Sequence, residues 1–416
     1  MSKLVINGGK RLEGEIDIQG SKNAVLPILA ATVINGGKNV IHNCPDLRDV
    51  KITVEVLKSL GCSAEKHGNM LIVDSSEFDS EVIDESLMRQ MRSSIIFLGA
   101  IIARCGRAKV SMPGGCEIGN RPIDLHLKAL KKLGVNIEEE HGYINCEAKK
   151  LAGTDIHLDF PSVGATENIM LTACTAEGTT VITNAAREPE IVDLERFLNR
   201  MGAKISGAGG DVIRIDGAKK FYGIEHTIIP DRIVAGTYLC AGAATNGSIV
   251  LKNALPHHMQ SMINSLKDMG CRIYTERSKI ILSPHGSLKP LAKVRTMPYP
   301  GFPTDIQSPF MALCSLADGT SMFVENIFEN RFQHVEELIR MGADIEVDGR
   351  VAVVHGVKRL SGAKVVAKEL RGGGALVIAA LAADGESEIE GTVYIDRGYE
   401  CIEKYLSRCG GDIKRV

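Results

Sequence analysis

The sequence predicts an α/β protein of two similar domains, each built from three helix-strand-helix-strand-strand units. Three observations lead there. A short signature recurs six times along the 416-residue chain at intervals of about 70 residues: Leu, two residues, Leu, Met or Cys, Gly, and usually a closing Ile. Each copy ends an amphipathic run and opens a short β-like run, so its glycine reads as the residue that closes a helix and feeds a strand. Each copy also follows a second helix, nearly all apolar and rich in small residues, with a turn glycine and a strand after it.

Taken in order, the copies are LKSLGCSA, LKKLGVNI, LNRMGAKI, LKDMGCRI, LIRMGADI and LSRCGGDI, with glycines at Gly61, Gly134, Gly202, Gly270, Gly342 and Gly410. The apolar partners include VLPILAATVINGGKNVIHN, SSIIFLGAIIARCGRAKVSM, TYLCAGAATNGSIVLKN, SPFMALCSLADGTSMFVEN and GALVIAALAADGESEIEG. A helix apolar on every side must be buried, and the amphipathic one must cover it. Solenoid repeats usually run about 20 to 45 residues and lack this mixed content, so two globular domains fit better. No Pro-rich or Gly/Ser-rich linker separates them, which puts the crossing on a plain strand near residue 229.

Composition narrows the function. A net charge of −2 gives no electrostatic case for nucleic-acid or membrane partners, and the absence of Trp weighs against base-stacking platforms. The polar start, MSKLVINGGKRLEGEI, does not read as a signal peptide, and no apolar run nears the roughly 18 residues that span a bilayer, so a cytoplasmic location is expected. Eleven cysteines without a CxxC pair fit neither a disulfide framework nor a zinc site. Cys62, Cys174, Cys240, Cys271 and Cys314 sit in apolar patterns or near helix ends and read as core. Adjacent His257 and His258 have no third ligand in step, so no metal is expected. P-loop, GxGxxG and GxSxG motifs are missing.

One cysteine differs. In MPGGCEIGNRPID, Cys116 stands among Gly114, Gly115 and Gly119, followed by Arg121, then Pro122 at an expected first helical position and Asp124 in the first turn. A thiol, a fixed cation and a helix N-terminus together stabilise anions and activate sulfur; the plainer reading is a glycine loop with an incidental cysteine. Further cations recur at equivalent unit positions. Arg331 and Arg397 lie in the loops after the first strands, while Lys22 with Asn23, Arg92 and Arg371 open the apolar helices. Such a set, converging on one cleft, suits a small polyanionic substrate, because guanidinium forks match phosphate and carboxylate. Asp305, in PGFPTDIQSPF, is either a helix-start acid or a base facing those arginines.

GSKNAVLPILAA, QMRSSI, PGGCEIGNRPIDLHL, SVGATENIM, PGFPTDIQSPF, ENRFQHVEELIRMGA and IDRGYE, in this order, resemble the UDP-N-acetylglucosamine 1-carboxyvinyltransferase family across essentially the whole chain. The sister 3-phosphoshikimate 1-carboxyvinyltransferases share the six-unit architecture, but typically have Lys-Ser where this chain has Lys22-Asn23, and lack the cysteine loop. The resemblance implies an inside-out α/β barrel in two domains: residues 22–229, carrying the Cys116 loop, and residues 1–21 with 230–416, carrying Asp305 and Arg397. It implies enolpyruvyl transfer from phosphoenolpyruvate to the 3′-hydroxyl of UDP-N-acetylglucosamine with release of phosphate, and no cofactor.

The same resemblance gives Cys116 the role of protonating phosphoenolpyruvate or holding it as an adduct, and Asp305 that of taking the hydroxyl proton. Lys22, Arg92, Arg121, Arg331, Arg371 and Arg397 would supply the cations and Asn23 would hold the sugar. Arg121, Pro122, Ile123, Asp124, Leu125, Ser162, Val163, Gly164 and Ile327 would line the nucleotide sugar. The chain departs from the family pattern at Glu369, where Asp is usual, at Gly372, Gly373 and Gly374, and at Tyr394, where His is common. The longer acid is expected to push a charge deeper into the site, and the glycines to loosen the helix start. A diverged regulatory paralogue that binds the sugar nucleotide without turnover is the alternative those departures motivate.

Overall fold

Six helices that are apolar on nearly every side take the interior positions, and sheets and amphipathic helices surround them. The computed structural model describes residues 2–112, 123–284 and 286–416. It divides into two compact units, one running from Gly20 to Ile229 and the other formed by the residues up to Gln19 together with Pro230–Val416.

In the unit that begins at Gly20, the interior helices are Lys22–Ala31, Phe97–Cys105 and Val163–Ala173. Their small side chains let the last two pack closely. The helices Arg48–Ser59, Asp124–Lys132 and Pro189–Met201 turn one apolar face inward. Three sheets belong to this unit. In each, the strand that follows an interior helix pairs antiparallel with the second strand of the hairpin that closes the segment, as Lys38–His42 does with Met70–Asp74.

The other unit likewise has three apolar helices, each followed by a strand. Its interior helices are Arg232–Ala244, Gln307–Cys314 and Leu370–Ala382, packed on one another. The N-terminal residues complete two of its sheets: Leu4–Asn7 pairs antiparallel with both Glu386–Glu390 and Asp412–Arg415, and Glu13–Asp17 pairs parallel with Ser248–Lys252. This pairing gives the first nineteen residues a place among the last 187 rather than beside the residues that follow them.

The six signature glycines all have positive φ, from 85° at Gly61 to 123° at Gly202. That left-handed turn ends each amphipathic helix and releases the chain into a strand, and a side chain there would be strained. Two apolar cores result, one per unit, and Cys62, Cys174, Cys240, Cys271 and Cys314 lie in them. Burial pushes the Cys174 and Cys314 thiols up to about 12, so they are inert packing groups. No helix among the described residues is long and apolar enough to cross a membrane.

The glycine triplet departs from the expectation of a loose helix start. Gly372, Gly373 and Gly374 are buried within the Leu370–Ala382 helix. A Cβ on Gly373 would lie 2.6 Å from Ile395 Cγ1, and one on Gly374 would lie 2.6 Å from the hydroxyl of Tyr399. Tyr399 cannot easily yield, since it is buried and shares a 3.0 Å hydrogen bond with Thr237. The glycines are spaces filled by neighbours. Gly374→Ala is therefore expected to destabilise the protein by about 1 to 3 kcal/mol, overpacking outweighing the gain of up to about 1 kcal/mol in helix propensity. Urea unfolding would show it; an unchanged or higher midpoint would contradict the packing argument.

Candidate functional site

In the unit holding the C-terminal half, three of the expected residues meet. Pro303 and the 3-10 turn Thr304–Ile306 bring Asp305 to the start of the Gln307–Cys314 helix. Asp305 caps neither helix: Pro303 and Ile306 occupy the cap positions, and no side-chain cap bond is made at either. Its Oδ1 accepts from Arg331 Nη2 at 3.1 Å, and its Oδ2 accepts from Arg371 Nη2 at 3.0 Å. The carboxylate side chain is 27% exposed while those of the arginines are only 2% and 3% exposed, so the acid is the reachable member of the cluster.

Burial alone would lower the pKa of Arg371, but Asp305, with Tyr399 and Asp231, outweighs it and secures the positive charge. Arg371 also lies over the Tyr399 ring, 5.9 Å from its centroid. Asp231 caps the Arg232–Ala244 helix, accepting from Ile233 N and Val234 N at 2.9 and 3.0 Å. Through Arg371, the starts of all three interior helices of this unit are electrostatically joined.

Glu369 brings its charge beside Arg331 while serving as the cap of its own helix. The side chain folds back as the N-cap of its own helix, Oε2 accepting from Arg371 N at 2.7 Å and Oε1 from Gly372 N. Arg331 Nη1 stands 3.8 Å from Oε2, a second, longer ion pair. A Cβ on Gly372 would come within 2.8 Å of that capping oxygen and 2.7 Å of His334 Cβ. The longer acid and the first glycine are thus one adjustment.

Arg397 lies half-buried on the turn after the short helix Thr392–Ile395. Arg415 braces that turn by gripping Asp396 with two hydrogen bonds of 3.0 and 2.7 Å. Gln19 braces its other side, donating to Gly398 O at 3.2 Å and accepting from Glu400 N at 2.9 Å. Ile327 is half-buried on the loop that follows the strand Thr320–Val324.

The remaining expected residues that the structure describes belong to the other unit. Lys22 opens its helix and pairs with Asp49 at 2.6 Å, both buried, and Asn23 follows it, half-buried. Ser162 caps the Val163–Ala173 helix by accepting from Ala165 N at 3.3 Å, so Val163 and Gly164 form its first turn. Ile123 and Asp124 begin the Asp124–Lys132 helix, with Leu125 half-buried behind them. His126, from the same helix, is hydrogen-bonded through Nδ1 to Asn168 at 2.7 Å. Arg92 opens a 3-10 turn, and its side chain lies outside what is described. Cys116, Arg121 and Pro122 lie outside the described residues. No cluster of three His, Cys, Asp or Glu side chains suited to a metal occurs among the described residues.

Sequence reasoning missed His334, which is buried beside Arg331 and Glu369. Desolvation lowers its pKa to about 4, Arg331 acting in the same direction and Glu369 against it. An unfolded histidine titrates near 6.5. Between these values the unfolded chain binds the extra proton, so the stability His334 contributes is complete above pH 6.5 and is lost as pH falls toward 4. The loss is expected to be about 3 kcal/mol. Denaturant unfolding of the wild type should therefore lose that much more stability between pH 7 and pH 4 than His334→Gln does; equal pH slopes would refute the assignment.

Residues 6–406 match the family profile of EPSP synthase (3-phosphoshikimate 1-carboxyvinyltransferase). The chain is 55% identical over 416 residues to UDP-N-acetylglucosamine 1-carboxyvinyltransferase 2 of Caldanaerobacter subterraneus subsp. tengcongensis, with all of both chains covered. It is 49% identical over 417 residues to UDP-N-acetylglucosamine 1-carboxyvinyltransferase of Geobacter metallireducens, again covering both in full. Among solved structures, the enolpyruvyl transferase NikO from Streptomyces tendae superimposes with a TM-score of 0.90 at 25% identity, over 100% of this chain and 99% of that one. EPSP synthase from Acinetobacter baumannii superimposes with a TM-score of 0.77 at 18% identity over the whole of both chains, a likeness of fold. The chain belongs to the EPSP synthase family and, within it, to the UDP-N-acetylglucosamine 1-carboxyvinyltransferases.

Proposed function

We propose that this chain transfers the enolpyruvyl group of phosphoenolpyruvate to the 3′-hydroxyl of UDP-N-acetylglucosamine, releasing phosphate, as the first committed step of peptidoglycan synthesis in the cytoplasm. The observation that carries this reading, beside the full-length relatives, is a partly exposed carboxylate, Asp305, with a buried guanidinium on each oxygen. Phosphoenolpyruvate brings a phosphate and a carboxylate, and fixed cations suit both. Each oxygen of Asp305 is held by one of the two cations. An anionic substrate that engages Arg331 or Arg371 competes for them and leaves Asp305 a better proton acceptor.

In the proposed reaction Asp305 takes the proton of the sugar hydroxyl as its oxygen bonds to C2 of phosphoenolpyruvate, and Cys116 delivers a proton to C3. The resulting tetrahedral ketal then loses a proton from the new methyl group while the C2–O bond to phosphate breaks, restoring the double bond and freeing phosphate. Lys22, Arg92, Arg121 and Arg397 would share the anionic charge with Arg331 and Arg371. Asn23 would hold the sugar, with Pro122, Ile123, Asp124, Leu125, Ser162, Val163, Gly164 and Ile327 against the nucleotide sugar. Each three-sheet unit is read as an inside-out α/β barrel, a reading supported by its buried helices and the sheets around them. The full-length relatives favour this reading over a regulatory paralogue.

Phosphate release from phosphoenolpyruvate tests the reaction. Release is expected with UDP-N-acetylglucosamine and not with shikimate 3-phosphate, and Cys116→Ala should lower turnover at least about a hundredfold. Fosfomycin, an epoxide phosphonate, should alkylate Cys116 and abolish release. Turnover with shikimate 3-phosphate would overturn the substrate assignment, and full activity of Cys116→Ala would remove the thiol from the mechanism.

A further inference from the structure

Glu325 is the first residue beyond the strand Thr320–Val324 and is 1% exposed. Burying a carboxylate is costly unless hydrogen bonds replace its water, and here both oxygens are filled from three separate segments. Oε1 accepts from Thr296 Oγ1 at 2.9 Å, Ile327 N at 2.8 Å and Phe328 N at 3.1 Å; Oε2 accepts from Thr304 Oγ1 at 3.0 Å. Thr296 Oγ1 accepts in turn from Asn326 N at 2.9 Å, so the whole start of the Ile327 loop is fixed to one side chain.

The far ends of these bonds lie in the candidate site. Thr304 directly precedes Asp305, and its carbonyl accepts from Arg331 Nη2 at 3.2 Å. The Arg331 guanidinium lies over the ring of Phe328, 5.7 Å from its centroid. A closed circuit therefore runs from Glu325 through Thr304, Asp305, Arg331 and Phe328 back to Glu325. A strand-end staple would need only the bonds to Thr296, Ile327 and Phe328. The Oε2 bond to Thr304 adds nothing to the strand end; what it fixes is the distance from the Ile327 loop to Asp305.

We infer that Glu325 is a positioning residue for the proposed transfer: it sets Asp305 and the Ile327 loop at one spacing, so that the nucleotide sugar held by the loop presents its hydroxyl to the carboxylate. The inference rests on the proposed reaction. It concerns hydrogen-bond geometry and not charge, which makes the amide a discriminating replacement: a glutamine can accept from Ile327 N and Phe328 N through its oxygen and donate to Thr304 Oγ1 through its nitrogen.

Steady-state phosphate release and thermal unfolding of the full chain, wild type and three variants, test it. Thr304→Val cuts only the Oε2 arm; it should lower kcat about tenfold while leaving KM for UDP-N-acetylglucosamine within about twofold, the loss of one charge-assisted hydrogen bond appearing in alignment alone. Glu325→Gln should keep at least about a third of wild-type kcat/KM. Glu325→Ala releases both arms and should raise that KM as well as lower kcat, about a hundredfold in kcat/KM. A Thr304→Val protein with a lower unfolding temperature and unchanged kcat would overturn the inference, as would Glu325→Gln as impaired as Glu325→Ala. Wild-type protein that releases no phosphate with the sugar nucleotide would fail the reaction itself, before any variant is compared.

Discussion

Two guanidinium groups cannot be buried side by side without counter-charge, and Asp305 is where this molecule meets that constraint. Arg331 and Arg371 come from a loop and from a helix start, 26 and 66 residues beyond Asp305 in the chain. Each takes one carboxylate oxygen, and Glu369 adds a second negative group near Arg331. Asp231 acts on Arg371 as well, so both buried cations have negative groups around them. Replacing such a pair by apolar groups often costs nothing in stability, whereas removing one member leaves a buried charge uncompensated. An ion cluster of this kind is weak as a source of stability and strong as a constraint on position, which is what a site for anionic substrates requires.

The neutrality of His334 follows from the same constraint. A third positive charge beside Arg331 would be repelled by it, and burial keeps the imidazole uncharged at ordinary pH. Glu369 completes the arrangement by serving two neighbours at once. Its oxygens cap the N–H groups of Arg371 and Gly372 while standing near Arg331, so the helix start that carries Arg371 is set by the acid that partly compensates Arg331. With Asp in its place the cap would be one methylene shorter. With any side chain at position 372, the longer acid would lose the space its oxygen occupies.

The glycine turns and the buried apolar helices were legible in the sequence because their signals are local. A left-handed glycine after an amphipathic run, and a helix apolar on every face, can be read within a dozen residues. The cationic helix starts were legible for the same reason, and Asp305, Arg331 and Arg371 could be named as candidates. Their meeting on one carboxylate could not, since it depends on how three interior helices pack. Glu325 left no signal at all. Its partners Thr296 and Thr304 lie 29 and 21 residues before it, and a Glu after a strand reads as an ordinary solvated end. The glycine triplet misled for a related reason: local propensity calls it loose, while Tyr399 and Ile395, distant by more than twenty residues, fill the space.

The interior helices explain why the candidate residues gather where they do. Most lateral positions of such a helix are taken by the core, and the polar side chains buried there, such as Asn168, Thr172 and Thr237, are hydrogen-bonded inside it. The N-terminal end is the better one for anions, offering unpaired N–H groups and the positive pole of the helix. Across the two units this is where Lys22 and Asn23, Ser162, Asp231 with Arg232, Asp305, and Glu369 with Arg371 are found. Their hydrogen bonds follow the same logic: Ser162, Asp231 and Glu369 satisfy the N–H groups themselves, while Lys22 is matched by Asp49. A fold that buries its helices thus gathers most of their charged groups at the N-terminal ends, while the apolar interior needs only small side chains and close packing.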